Sequence, residues 1–379
     1  MMSRYRYSLL LSFLALPLLA SSVGPASSIT ASPLAREPSP TFLDKWGSEG
    51  PAERQFKAPN GVAVDNAGNV FVVDTGNDRV QKFDSDGNFL LMWGWGVRTG
   101  ESTFQICSIS CQAGVIGGGD GQFSKPSDVA VDYSGYVYVT DTNNDRIQKF
   151  NSSGTYIGKW GTKGTGWSGF YHPSGIAIDS SGDVYVVDSG NYRIKKHSAS
   201  GAFLYTWGWG VLDGTLEFQL CGTLSPCQIG IGGSGDGQFT APNHVAIDIS
   251  GNIYVADTHN HRIQKFNGVS FVAKWGTLGS GAGELKYPAG VAVDARGNVY
   301  VTERENDRVS KFDGDGGFLV SWGTTGSGDG DFEDPRAVAT DAAGHIYVVG
   351  MDNHRVQKFG GPWLDVFVGE AEPPAGDAR

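Results

Sequence analysis

Carboxylate, amide and guanidinium side chains recur along this chain at one fixed spacing, Asp-x-x-Asn-x-Arg. The first copy is Asp74, Asn77 and Arg79, and in the last copy Gly350 replaces the acid before Asn353. The others are Asp141-Asn144-Arg146, Asp188-Asn191-Arg193, Asp257-Asn260-Arg262 and Glu303-Asn306-Arg308. A group repeated in every unit normally serves the fold, with Arg bridging the carboxylate and backbone oxygens in a bidentate way. We therefore predict a structural role for the triplet.

Departures from the repeat are better candidates for a binding site, because repetition is explained by structure alone. The predicted binding set contains polar and charged residues at or beside the position after a proline, together with one altered acid and two tryptophans. Its members are Asn60, Trp95, Asp128, Trp209, Asn243, His244, Glu303 and Arg336. A polar mouth edged by aromatic rings suits a peptide, a glycan or a small organic ligand. No nucleophile elbow, phosphate loop or pair of catalytic carboxylates stands out, so we predict no catalytic residue.

The elements that must position these residues come from a unit of about 47 residues that returns six times, starting at Pro59, Pro126, Pro173, Pro242, Pro288 and Pro335. Each unit contains four short β-branched and aromatic segments separated by Gly, Asn and Asp turns, which predicts four antiparallel strands. One such sheet cannot bury both faces alone. The sequence therefore predicts an all-β, six-bladed β-propeller of four-stranded antiparallel blades.

Closure of the ring is predicted from the Trp-Gly pairs that end the fourth strand of the first five units. The sixth unit lacks this ending, whereas Phe42 to Gly47 reproduces it at the other end of the chain. We predict that this N-terminal strand completes the sixth blade, with Trp363 to Phe367 as the alternative. The propeller is expected to span residues 42–369 as one domain.

The repeat resembles the NHL family, whose Pro-x-Gly-(Val/Ile)-Ala-(Val/Ile)-Asp and Asn-His-Arg-(Ile/Val)-Gln-x-Phe patterns are clearest from Pro242 to Phe266. The resemblance implies the propeller fold, but NHL propellers include RNA-binding domains, lyases and extracellular sensor domains. The amidating lyases of this fold place His directly after the proline in several blades, as zinc ligands. Here no unit has His at that position, so the resemblance implies no such zinc site.

Four cysteines lie in two long insertions that follow Trp93 and Trp207 and resemble each other. In an oxidising compartment we expect local disulfides, Cys107 with Cys111 and Cys221 with Cys227. Pairing between the two insertions and metal ligation are the alternatives. Because each insertion joins a fourth strand to the next first strand, we expect both to stand over the channel mouth with Asp128, His244 and Arg336, beside Trp95 and Trp209.

The chain ends and the charge indicate an exported protein. Residues 1–22 read as a signal peptide, with an uncleaved anchor as the alternative, residues 23–41 as a linker and 370–379 as a disordered tail. The formal charge of -11 argues against binding to nucleic acid. We expect an extracellular or cell-envelope location, no transmembrane segment in the mature chain, and a monomer.

The favoured hypothesis is a non-catalytic recognition or scaffold module that binds protein, peptide or glycan through its loop-bearing face, without a cofactor or a bound metal. The alternative is a lyase or lactone hydrolase whose divalent cation is held at the channel mouth by acids and one His.

Overall fold

The computed structural model describes residues 37–361, and these form the predicted ring of six antiparallel blades. The innermost strands of neighbouring blades contact each other in chain order, and the innermost strand of the last blade returns to contact that of the first. The predicted signal peptide, residues 23–36 of the linker, the tail and the alternative closing segment Trp363 to Phe367 lie outside the described residues.

The strands of the first three blades follow the chain from the channel outwards. Blade one comprises β2 (Gly61–Val64), β3 (Val70–Asp74), β4 (Arg79–Phe83), β5 (Phe89–Trp95) and β6 (Phe104–Cys107). Blade two comprises β7 (Pro126–Val131), β8 (Val137–Asp141), β9 (Arg146–Phe150) and β10 (Tyr156–Trp160), and is followed by the short parallel pair β11 (Thr162–Lys163) and β12 (Gly169–Phe170). Blade three comprises β13 (Pro173–Ile178), β14 (Val184–Asp188), β15 (Arg193–His197), β16 (Phe203–Trp209) and β17 (Phe218–Gly222).

The other three blades have four strands each, and the last blade takes one of its strands from the N-terminal end of the described chain. Blade four comprises β18 (His244–Ile247), β19 (Asn252–Asp257), β20 (Arg262–Asn267) and β21 (Ser270–Trp275). Blade five comprises β22 (Pro288–Val293), β23 (Val299–Glu303), β24 (Arg308–Phe312) and β25 (Phe318–Trp322). Blade six comprises β26 (Pro335–Thr340), β27 (His345–Gly350), β28 (Arg355–Gly360) and β1 (Thr41–Trp46).

The N-terminal strand closes blade six as predicted. β1 pairs antiparallel with β28, with Trp46 opposite Val356, and forms the outer strand of the sheet. Trp46 is buried and packs against Phe83 of blade one and Tyr347 of blade six. The strand therefore fills the junction between the last and the first blade with an aromatic core.

The hydrophobic core lies between the blades. Because neighbouring sheets pack face to face, second strands such as β3 and β8 are buried on both faces and read as continuous apolar runs. In one such cluster Trp93 of blade one packs on Phe150 of blade two. The same indole covers Gly154, where a side chain would bring its Cβ within 3.0 Å of the ring. The φ of 81° at this residue also favours glycine.

Five of the six blade junctions share a hydrogen bond at the end of the turn that follows the second strand. The residue after the asparagine of the repeated triplet has a left-handed backbone, as at Asp78 with a φ of 49°. Its side chain accepts from the backbone N–H that precedes the next blade's proline, as in Asp78 Oδ1 to Lys125 N at 2.8 Å. At two junctions the acceptor is a histidine Nδ1: His261 for Tyr287 N–H and His354 for Ala58 N–H.

Candidate functional site

The repeated triplet is structural, as predicted. In blade two, Asp141 is fully buried, and its Oδ2 accepts from Arg146 Nε at 2.7 Å and Asn144 Nδ2 at 2.8 Å. The other oxygen accepts from Ser124 N–H at 2.8 Å. The two terminal guanidinium nitrogens donate to backbone carbonyls of the preceding loop, so the fork is shared between one carboxylate oxygen and the loop rather than bidentate on the carboxylate. The triplet thus ties each loop to its blade.

Glu303 belongs to this structural group, and its expected place at the channel mouth is wrong. The side chain is fully buried, and Oε1 accepts from Arg308 Nε at 2.7 Å and from Ser310 Oγ at 2.5 Å. Its Oε2 accepts from Asn306 Nδ2. In blade two the residue matching Ser310 is a glutamine, so the longer acid is accommodated by a shorter partner two residues after the arginine.

Asp128 and His244 meet across the ring although they belong to blades two and four. His244 Nε2 donates to Asp128 Oδ2 at 3.0 Å, and the same oxygen accepts from Ile176 N–H of blade three at 2.9 Å. His244 Nδ1 faces Val291 N–H of blade five at 3.4 Å. Both side chains are largely buried, with 4% and 12% of their surface exposed. The pair is therefore a cross-brace that joins four blades around the channel.

Burial and the neighbouring carboxylate act in opposite directions on the pKa of His244. Burial opposes protonation of His244, but the Asp128 carboxylate outweighs burial, and the pKa of His244 is raised. Asp128 Oδ1 is buried beside Gly61 and has no hydrogen-bond donor among the described residues. Sequence alone indicated both residues as departures from the repeat, but it could not show that they pair.

Asn60, Asn243 and Arg336 lie half-buried on or directly before first strands, as expected for the channel mouth. Arg336 Nη2 donates to Asp334 Oδ2 at 2.6 Å, and Arg304 Nε donates to the other oxygen at 3.0 Å. Beside this cluster, between blades five and six, is a cavity of about 460 Å³ lined by Lys286, Arg304, Glu305, Asp307, Glu333, Asp334 and Asp352. The cavity lining is acidic on balance, and sequence analysis had not indicated it.

Trp95 and Trp209 do not edge the channel mouth, which corrects the expected placement. They end β5 and β16, the fourth strands of their blades, and two strands separate these from the first strands. Strands lie about 4.8 Å apart, so this amounts to roughly 14 Å across the sheet. Each indole Nε1 donates to a backbone carbonyl within its own insertion, of Asp120 and of Asp236, both at 2.8 Å.

Each insertion begins as a fifth strand on the outer edge of its blade, which the repeat did not predict. β6 pairs with β5 and β17 pairs with β16. Both predicted local disulfides are present, Cys107–Cys111 and Cys221–Cys227, with Cα atoms 5.8 and 5.7 Å apart. After the disulfide each insertion returns across the turn of its own blade, where Gly114 N–H donates to Asn77 O and Gly230 N–H to Asn191 O.

Exposed aliphatic side chains are concentrated on these insertions. The second insertion exposes Leu212, Leu216, Leu220, Leu224 and Ile229, and the first exposes Ile106, Ile109 and Ile116. Trp167, from the loop after blade two, is partly exposed and donates from Nε1 to Ser225 O at 2.7 Å, which places it against the second disulfide loop. Trp167 and the exposed aliphatic residues of the second insertion are here called the insertion patch: Trp167, Leu212, Leu216, Leu220, Leu224 and Ile229.

Within residues 37–361, no group of three His, Cys, Asp or Glu side chains is arranged to hold a metal ion. No helix in this part of the chain is long and apolar enough to cross a membrane. At the channel mouth, His244 has both ring nitrogens directed at protein groups rather than into the open channel.

The NHL repeat model matches five segments, at residues 56–83, 123–150, 170–196, 239–266 and 285–312. The protein brain tumor of Drosophila melanogaster is 34% identical over 119 residues, which cover 31% of this chain and 10% of that protein. A probable peptidyl-alpha-hydroxyglycine alpha-amidating lyase of Caenorhabditis elegans is 32% identical over 103 residues, 27% of this chain and 25% of that protein. The chain thus matches only a minor part of each relative.

Solved structures share the fold at low sequence identity. A streptogramin B lyase has a TM-score of 0.54 at 12% identity, covering 84% of this chain and 98% of that one. An auxiliary nutrient binding protein from Bacteroides thetaiotaomicron has a TM-score of 0.53 at 14% identity, covering 85% and 75%. These likenesses concern architecture alone. The chain therefore carries five segments that match the NHL repeat, within a closed ring of six blades.

Proposed function

We propose that this propeller is an exported, non-catalytic recognition module, and that it binds a partner protein through the insertion patch on its loop-bearing face. The observation that carries the proposal is the clustering of exposed aliphatic side chains on one disulfide-bonded insertion. Leu224 is 99% and Leu216 72% exposed. Contiguous exposed apolar groups mark interaction sites, because leaving them in water costs free energy that a partner recovers.

The construction of the patch supports binding. Its edge strand β17 is paired on one side only, to β16, and the disulfide fixes the loop that follows it. A rigid loop loses little conformational entropy when it binds, so more of the contact energy appears as affinity. Between Val211 and Gly235 the chain carries Asp213 and Glu217 but no Lys or Arg. The chemistry of the patch therefore suits an apolar protein surface bordered by basic groups.

Export is part of the proposal. The two disulfides fit an oxidising compartment, and a basic, leucine-rich N-terminus of the kind that begins this sequence directs secretion. In that compartment the insertions stay cross-linked and keep the patch in one shape. Peptide and glycan ligands at the channel mouth are the competing outcomes of the experiment below.

The experiment is affinity capture from the cell envelope and secreted fractions, followed by a measured Kd for the purified partner. Leu216→Asp with Leu224→Asp should weaken binding at least tenfold, since buried anchors contribute about 1–4 kcal/mol each. Ile249→Asp is the matched control, because Ile249 is 84% exposed in the turn between β18 and β19, on the opposite face.

Two further results would contradict the proposal. One is a Kd that the patch variant leaves unchanged while Ile249→Asp raises it. The other is a Kd raised only by Arg336→Ala, which would locate recognition at the channel mouth instead. Circular dichroism and an unchanged melting temperature would establish that each variant remains folded.

A further inference from the structure

Blade six departs from the other blades at one buried polar position. In blades one to five, the Nε of the triplet arginine donates to a carboxylate oxygen at 2.7 or 2.8 Å. In blade six the residue at the acid position is Gly350, which has no side chain. The asparagine and the arginine of the triplet, Asn353 and Arg355, are retained, and Gln357 matches Gln148 of blade two.

The hydrogen bonds of blade six show which function of the acid has been replaced and which has not. Asn353 Oδ1 accepts from Glu333 N–H at 2.9 Å, a bond that the acid accepts in blade two. Arg355 Nη1 and Nη2 still donate to loop carbonyls, of Ser327 at 2.6 Å and of Gly328 at 2.7 Å. Arg355 Nε, however, is buried and has no acceptor among the described residues.

Arg355 is 7% exposed as a residue and has no ion pair among the described residues, since Asp329, Asp331 and Glu333 act on its charge only from beyond ion-pair distance. Burying a charge without a direct ion pair is costly. In blade two the same acid oxygen also accepts from Gln148 Nε2 at 3.0 Å. The matching nitrogen, Gln357 Nε2, uses one hydrogen to donate to Asp331 O at 2.7 Å. Its second hydrogen is a further donor in blade six, besides Arg355 Nε. Arginine stays charged at any physiological pH, so the missing acceptor cannot be offset by deprotonation.

We propose that blade six binds one small monovalent anion, a halide or a carboxylate the size of formate, against Arg355 Nε. The anion takes the position that an acid oxygen has in the other blades and completes the same network. The anion stabilises the blade next to the junction that β1 closes. This inference is independent of the proposed recognition function, since it concerns no exposed surface.

The first test measures the melting temperature of the purified protein while the anion is exchanged at constant ionic strength. Chloride, bromide and formate should raise Tm above its value in gluconate, a carboxylate too large for the position. Whether halide or formate gives the larger shift identifies the preferred anion. Equal Tm values in all four salts would overturn the proposal.

The Gly350→Asp variant restores in blade six the acid that the other blades have at this position. The other blades accommodate an acid and an asparagine at these positions, and the backbone of Gly350 does not need glycine. An added Cβ lies 3.1 Å from Asn353 Oδ1 and 3.2 Å from Asn353 Cβ, so Asn353 has to rotate and shift slightly. We expect Tm to rise by roughly 2–4 °C and its dependence on the anion to disappear. Anion dependence that persists in Gly350→Asp would contradict the assignment.

A crystal grown in bromide gives a direct structural test. An anomalous peak beside Arg355 Nε in the wild type, absent from Gly350→Asp, is the expected result. Density of a water molecule without an anomalous signal would overturn the proposal. If Gly350→Asp fails to fold, Asp141→Gly supplies the reverse test, because removing the acid of blade two should create a second anion-dependent position.

Discussion

His197 is a buried histidine whose protonation opposes folding. It occupies in blade three the position that Phe150 has in blade two, and its ring is buried between Phe170 and Phe203. Its Nδ1 lies 3.2 Å from Gly201 O, whereas Nε2 has no partner among the described residues. Burial lowers the pKa of His197 to about 3, with the positive charge of Lys195 as a further cause.

The sign of the pH effect follows from this lowered pKa. As the pH falls below about 6.5, the unfolded chain binds a proton at His197 before the folded chain does. The stability contribution is therefore complete above that pH and is lost progressively as the pH falls towards about 3. Acidification from about pH 7.5 to about pH 5 should cost roughly 2 kcal/mol through this residue, at about 1.36 kcal/mol per pKa unit.

We predict that His197→Phe removes this part of the acid sensitivity. Urea unfolding at both pH values should show a loss of stability that is about 2 kcal/mol smaller in the variant than in the wild type. The residue at the same position of blade two is buried but does not titrate, so Phe150→Leu provides the control and should lower stability equally at both pH values. An identical loss in wild type and His197→Phe would show that His197 is not the buried neutral group described here.

At the scale of elements, the insertions are additions to blades that already have their four strands. β6 and β17 extend sheets whose first four strands already pack on both neighbours, and each disulfide closes a loop confined to its own insertion. Cross-links over such short loops restrict the unfolded chain only slightly. They therefore set the shape of the insertions more than the stability of the ring.

We predict that replacing Cys107 and Cys111 together by Ser lowers the free energy of unfolding by about 2 kcal/mol. Calorimetry should still show one transition, and hydrogen exchange should increase in the insertion while β2 to β4 stay protected. The corresponding double variant at Cys221 and Cys227 should behave alike and should additionally weaken partner binding. Loss of the whole fold in either variant would contradict a peripheral role.

At the scale of the whole molecule, stability depends on closing the ring. The junction between blades six and one uses β1, the buried Trp46 and the hydrogen bond from Ala58 N–H to His354 Nδ1. Without β1, the edge of β28 and the aromatic faces of Phe83 and Tyr347 would meet water.

We predict that Trp46→Ala destabilises the protein by about 3–5 kcal/mol, because it removes a large buried ring from that junction. Leu43→Ala on the same strand is the control, since Leu43 is 46% exposed, and it should change stability by less than about 1 kcal/mol. Chemical unfolding followed by tryptophan fluorescence measures both. Equal effects of the two substitutions would mean that β1 does not seal the ring.

The sequence by itself determined the blade count, and it predicted the closing strand, the structural triplet and the pairing of the disulfides while leaving alternatives to the closing strand and to the pairing open. Each of these depends on local pattern or on repetition. A turn, an alternating strand or a pair of cysteines a few residues apart allows few arrangements, and six copies of one unit reinforce the same answer.

Only the tertiary structure decided which departures from the repeat come together. Asp128 and His244 pair across the channel because the ring brings blades two and four to one axis, and Trp95 lies away from the channel because it ends the fourth strand of its blade. Glu303 is buried because Ser310 leaves room for it, and Arg355 keeps an unpaired nitrogen because Gly350 offers no carboxylate. Such contacts depend on the distance and orientation of residues far apart in sequence, which strand patterns do not encode.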